Sequence, residues 1–169
     1  METMKKHVMD EKNYSPDLEE IHREAVRGII FIDGKLLMIE DSSGEVKLPG
    51  GGVDSGESDH EALRREVKEE TGYDVITGSI VPFWEIEEKR LSTHEPMIWH
   101  QISRLYLCGV YPEKGECDYT ENEKNDFRPV LYSLDEAIEK NREMLESEGH
   151  AWIRREYQTL LLIRDHVRN

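Results

Sequence analysis

Hydrophobic and polar positions divide the chain near residue 24. The first 23 residues are polar and charged and contain Pro16, which predicts an arm that docks loosely or frays, ahead of a domain over residues 24–169. Ala25 to Ile32 is rich in β-branched and aliphatic residues, Asp33-Gly34 is a two-residue turn, and Lys35 to Ile39 is a second apolar run. That succession predicts a β-hairpin. Asp41-Ser42-Ser43-Gly44 supplies another turn before a short extended piece, Val46 to Leu48. Pro49-Gly50-Gly51-Gly52 follows, and four such residues are expected neither to continue a strand nor to open a helix.

Ser58 to Thr71 reads as a helix, with Gly72 where a left-handed cap is expected. Strands are predicted at Val75 to Trp84, Ile98 to Val110 and Pro129 to Tyr132. Ser133 with Glu136 forms a capping box that opens a helix from Leu134 to about Leu145. A last helix, about Ala151 to Val167, places Ile153, Tyr157, Leu160, Leu161 and Val167 on one face. Strands and helices mix without regular alternation. The expected fold is α/β of the α+β kind, a mixed sheet with helices packed on it and not a doubly wound nucleotide fold.

Composition narrows the function. Of 169 residues, 22 are Lys or Arg and 37 are Asp or Glu, a net charge of −15. A chain this acidic lacks the basic face that nucleic acid or an anionic membrane surface requires. The longest stretch free of charged residues, Val75 to Trp84, falls far short of the roughly 20 residues that span a bilayer. No apolar run follows Lys5 and Lys6, so no secretory signal is read, and a cytoplasmic protein is expected. Cys108 and Cys117 offer neither a disulfide framework nor a four-ligand zinc site. The seven histidines show no metal-ligand spacing.

The chemistry concentrates at residues 50 to 73. Glu66, Glu69 and Glu70 stand at i, i+3 and i+4 and project from one helix face, where like charges repel. A divalent cation with a preference for hard oxygen ligands, such as Mg²⁺, would offset that repulsion. Arg65 is placed to reach back to Glu57, and Leu63 and Val67 to anchor the helix to the sheet. The glycine run upstream lets main-chain groups approach a metal or a phosphate closely. Each signal alone has an ordinary reading, a solvated helix face or a plain turn; their joint spacing points to a metal–phosphate site.

The segment from Gly51 to Tyr73, GGVDSGESDHEALRREVKEETGY, resembles the box of the Nudix hydrolase family. The matching positions are Gly51, Glu57, Arg65, Glu66, Val67, Glu69, Glu70 and Gly72, with Tyr73 where an aliphatic residue is usual. The resemblance implies a mixed β-sheet sandwiched between α-helices over about Glu24 to His166. It further implies Mg²⁺- or Mn²⁺-dependent hydrolysis of a nucleoside diphosphate linked to another moiety. Among the box positions that serve catalysis, Glu66, Glu69 and Glu70 are implied to hold metal together with the Gly50 carbonyl, while Arg65 and Glu57 are implied to be structural. Family members often recruit a glutamate from a loop further on, which here implies Glu121 or Glu123 as an extra ligand or general base. The competing reading of that acidic stretch is a solvated turn.

Arg27, Trp84, Arg104 and Tyr106 are candidates for the substrate pocket, since a base needs a flat apolar wall and a terminal phosphate a cation; core packing competes for both aromatics. The proline that marks ADP-ribose-cleaving members is missing past the box, where Glu88-Lys89-Arg90 stands. By elimination the expected substrate is a nucleoside triphosphate or related small nucleotide, with a homodimer open to the chain. The alternatives are a catalytically silent nucleotide-binding module on the same fold and a purely structural acidic domain.

Overall fold

The structure, a computed structural model, describes residues 4–119, 126–147 and 151–167. Its elements in chain order are β1 (Lys5–Asp10), β2 (Glu20–Ile29), β3 (Phe31–Ile32), β4 (Lys35–Asp41), β5 (Val46–Lys47), β6 (Gly50–Gly52) and α1 (Asp59–Thr71). They continue with β7 (Tyr73–Val75), a 3₁₀ turn (Thr77–Ser79), β8 (Val81–Leu91), β9 (Ile98–Leu107), β10 (Val110–Lys114), β11 (Phe127–Tyr132), α2 (Leu134–Glu146) and α3 (Ile153–His166).

The main sheet is mixed, in the order β1-β8-β9-β2-β6. Strand β2 runs parallel to β9 and antiparallel to β6. A second sheet has the order β11-β4-β3, with β5 also paired to β4. The expected hairpin lies there, between β3 and β4. Asp33 and Gly34 both take positive φ, 51° and 79°, as a two-residue turn of that kind requires. Side-chain alternation then sorts the core. Val26, Ile30 and Leu37 join Ala62, Leu63 and Val67 of α1 on one side, while Ile29, Leu36, Met38, Ile86 and Leu105 join Ala137, Leu160 and Ile163 of α2 and α3 on the other. The sheets are thus held between helices, as a layered α+β fold requires.

Three sequence expectations change. The N-terminal residues are not a frayed arm throughout, because Lys5–Asp10 pairs in parallel with Trp84–Lys89 and Lys6 bridges Glu85 and Glu87 at 3.3 and 3.1 Å. The strand expected at Val75 to Trp84 runs instead from Val81 to Leu91, through charged residues that find partners on neighbouring strands. The glycine run does form a strand, β6, with Gly50, Gly51 and Gly52 opposite Arg27, Val26 and Ala25. Glycine is needed because a Cβ on Gly50 would lie 2.0 Å from the Val26 carbonyl oxygen and one on Gly51 would lie 2.6 Å from the Glu66 carboxylate. Among the described residues no helix is long and apolar enough to cross a membrane.

Candidate active site

Helix α1 is set by its ends. The Ser58 hydroxyl accepts from the Glu61 N–H at 3.1 Å, and Gly72 closes the helix at φ 80°. Leu63 and Val67 bury toward β2, so the face carrying Glu66, Glu69 and Glu70 turns to β6 and its flank. Glu66 packs its carboxylate on the Gly51 backbone. Glu70 is buried, 8% exposed, and accepts from the Gly50 N–H at 3.2 Å. Burial pushes its carboxyl up to about 7, against the opposing pull of Lys47 and Arg27. Glu69 is also raised, by burial first and then by the Glu66 charge.

Arg65 is the local hub. It donates to both Glu57 oxygens at 2.7 and 2.8 Å, to Glu66 at 2.9 Å and to the Gly52 carbonyl at 3.1 Å, and lies 3.5 Å from Glu69. Its guanidinium holds the Glu57 carboxyl down at about 2. The loop is thereby tied to the helix as the spacing suggested. Part of the positive charge that the glutamate face needs comes from Arg65 itself.

The C-terminal end of α1 is closed by residues 115–119. The Asp118 N–H donates to the Glu69 carbonyl at 2.6 Å, and Cys117 and the Tyr119 hydroxyl donate to the Glu70 carbonyl. Glu121 and Glu123, expected to add a ligand or a base, lie outside the described residues. The Gly50 carbonyl, expected as a backbone ligand, accepts from Arg27 Nη1 at 2.9 Å, which leaves its second lone pair. Among the described residues no three His, Cys, Asp or Glu side chains are gathered closely enough to hold a metal ion as they stand. The donor chemistry still fits a hard divalent cation: carboxylate oxygens on one helix face, pressed against a main chain that bears no Cβ.

Beside this cluster lies a cavity of about 270 Å³, lined by Arg23, Arg27, Lys47, Arg90 and Arg155, with Trp99 and Trp152 and no acidic residue. Arg27 is the one sequence-predicted substrate residue in it. Trp84 packs in the core beneath α3, its ring 5.0 Å from that of His166. Arg104 and Tyr106 sit instead at the start of α1, where Arg104 binds Asp59 at 2.6 and 2.9 Å and Tyr106 binds it at 2.5 Å. An acid in the first turn of a helix, paired to a sheet cation, orients that helix, so both residues are committed to positioning α1.

The cations that sequence reading missed come from four separate segments. A signal existed on the sheet. Arg23 and Arg27 are four residues apart on β2, and Arg23 faces Gln101 while Arg90 faces Trp99 across the strands, so all share one face. Starting the strand at Ala25 rather than Glu20 hid it. A wider hollow of about 640 Å³ runs along the outer side of α1, past Glu61, Arg64 and Tyr111, where Lys68 pairs with Asp74 at 3.0 Å.

The chain is similar to known proteins in sequence and in fold. The NUDIX domain family matches residues 22–160. A Bacillus subtilis (strain 168) protein, provisionally named an ADP-ribose pyrophosphatase, is 28% identical over 92 residues, 54% of this chain and 43% of its own. The nucleoside triphosphatase NudI of Salmonella schwarzengrund is 41% identical over 64 residues, 38% of this chain and 45% of its own. The chain therefore spans under half the length of the curated relatives it matches. A solved structure described as an ADP compounds hydrolase superposes with a TM-score of 0.56 at 26% identity, over 85% of this chain and 71% of that one.

Proposed function

The chain belongs to the NUDIX family, and from that premise we propose that it is a metal-dependent pyrophosphohydrolase, cleaving a diphosphate bond in a nucleoside diphosphate linked to another moiety, a nucleoside triphosphate foremost. The observation that carries the reading is the glutamate face of α1 set on the Gly50–Gly51 backbone at the edge of a cavity lined only by cations and neutral residues. The names of the relatives, one an ADP-ribose pyrophosphatase and one a nucleoside triphosphatase, support the reaction class and straddle two substrates.

In this reading Glu66, Glu69 and Glu70 hold Mg²⁺ or Mn²⁺, with the Gly50 carbonyl as a further donor. Bound there, such a cation supplies neutralisation of the diphosphate and a lowered pKa for the attacking water. The rest is the work of the chain. Arg65 fixes the glutamates by clamping Glu57 and the Gly52 carbonyl. Arg27 and Lys47 border Glu70 and offset the charge of phosphates entering from the cavity.

The test is a panel of nucleoside triphosphates, nucleotide sugars and dinucleoside polyphosphates, read as phosphate or pyrophosphate released. Turnover of at least one compound with Mg²⁺ or Mn²⁺, abolished by chelation, is expected. If nothing in the panel turns over with metal present, the silent binding-module reading replaces this one.

A further inference from the structure

The cavity beside the glutamate face is more cationic than a diphosphate and its metal require. Its five basic residues lie in a chain of net charge −15, and no acid joins them in the lining. Two of them are ion-paired from outside the lining: Arg90 donates to Glu88 at 3.1 Å, and Arg155 lies 3.5 Å from the same Glu88 and 3.5 Å from Glu156, so that one carboxylate is shared between two guanidinium groups. Arg23 makes no hydrogen bond or ion pair among the described residues, although it is half-buried. Burial first, and then the charges of Arg27 and Arg155, lower its pKa against the opposing pull of Glu66.

A second observation points the same way. Among the described residues three buried side-chain donors have no hydrogen-bond partner in the protein: Arg27 Nε, Arg155 Nε and Trp99 Nε1. All three residues line this cavity. The five cationic groups and the two indoles of the wall offer donors and no carboxylate, so an occupant held by them must supply the acceptor oxygens. A neutral sugar brings hydroxyls but no charge. A phosphate brings several acceptor oxygens and the negative charge that guanidinium groups match in geometry.

We propose that this cavity binds a second phosphate group of the substrate, beyond the diphosphate that is cut, with Arg23 as its principal contact. The preferred substrates are then nucleotides whose departing or distal part is itself phosphorylated, in preference to nucleotide sugars. This rests on the hydrolase reading for what the phosphate belongs to; the binding itself needs neither metal nor hydrolysis.

The experiment is isothermal titration of the full chain, stripped of metal and in chelator-free buffer, with inorganic triphosphate, and with citrate as a carboxylate of comparable charge. Triphosphate is expected to bind, more tightly than citrate. Arg23→Gln is expected to weaken it on the order of tenfold, the effect of losing one charge-assisted contact. Arg64→Gln, on the exposed side of α1, is expected to leave it unchanged. Circular dichroism checks that Arg23→Gln stays folded, as the unpaired state of the side chain leads one to expect. Failure of triphosphate to bind, equal affinity in Arg23→Gln, or citrate binding as tightly as triphosphate overturns the proposal. A positive hydrolysis panel alongside any of these leaves the hydrolase standing and removes only the second phosphate site.

Discussion

Glu70→Gln is expected to lower metal-dependent turnover on the order of 100-fold or more while the fold survives. Glutamine keeps the shape and helix propensity of the residue and can still accept from the Gly50 N–H, so what is lost is an anionic oxygen at the edge of the cavity. Glu66→Gln and Glu69→Gln should follow it in direction. Glu61→Gln is the control: the same helix, exposed, and away from the glutamate face. Steady-state kinetics on the best substrate of the panel decides the matter, and equal rates for Glu61→Gln and Glu70→Gln would reduce the three carboxylates to a solvated surface.

The same variant carries a signature in stability. The Glu70 carboxyl is raised from 4.5 to about 7 by burial, so the metal-free fold favours its protonated form. That contribution is complete below about pH 4.5 and is lost as pH rises through about 7, a change on the order of 3 kcal/mol. Metal-free protein should therefore lose melting temperature between pH 5 and 8, and Glu70→Gln, which has no charge to bury, should lose less and be the more stable of the two at pH 8. Parallel curves for parent and variant would contradict the buried charge.

Gly50→Ala should be the most destabilising single methyl in the chain's active region. The added Cβ would lie 2.0 Å from the Val26 carbonyl oxygen and 2.8 Å from Arg27 Cα, both main chain, at a φ of +148° that side chains rarely adopt. Strand β6 cannot hold its place against β2 under that overlap, and a loss of about 3 kcal/mol or more is expected. For a chain of this length that is a fall in melting temperature of roughly 6–12 °C. Gly51→Ala differs in kind. The three atoms nearest its Cβ all belong to the Glu66 carboxylate, which can swing away, so activity should suffer more than stability. Gly78→Ala, with nothing within 4 Å, should be nearly neutral by thermal denaturation.

Local chemistry made part of this legible in advance. Ser58 and Gly72 bounded α1, Asp33-Gly34 made the hairpin turn, and the i, i+3, i+4 glutamates shared a face, because each depends on neighbours in sequence. Strand β8 was misplaced because its buried positions include Glu88 and Arg90, which neutralise each other there and look like surface in a sequence. The glycine strand was missed because its reason is a close approach by Glu66 and Val26 from elsewhere in the chain. Arg104 and Tyr106 were assigned to substrate without knowing that Asp59 would stand opposite them. The basic cavity draws on β2, β5, β8, β9 and α3, and no single segment is basic enough to announce it.

Hydrolysis in this reading requires the glutamate face to hold a divalent cation, and titration with Mn²⁺ at about 0.15 M salt, an ionic strength that screens diffuse surface charge, tests that most directly. Electron paramagnetic resonance reads the free ion. The parent chain should bind Mn²⁺, and the variant carrying Glu66→Gln, Glu69→Gln and Glu70→Gln together should lose that binding with its circular dichroism unchanged. A folded triple variant that binds Mn²⁺ as the parent does, or a parent that binds none, contradicts the account.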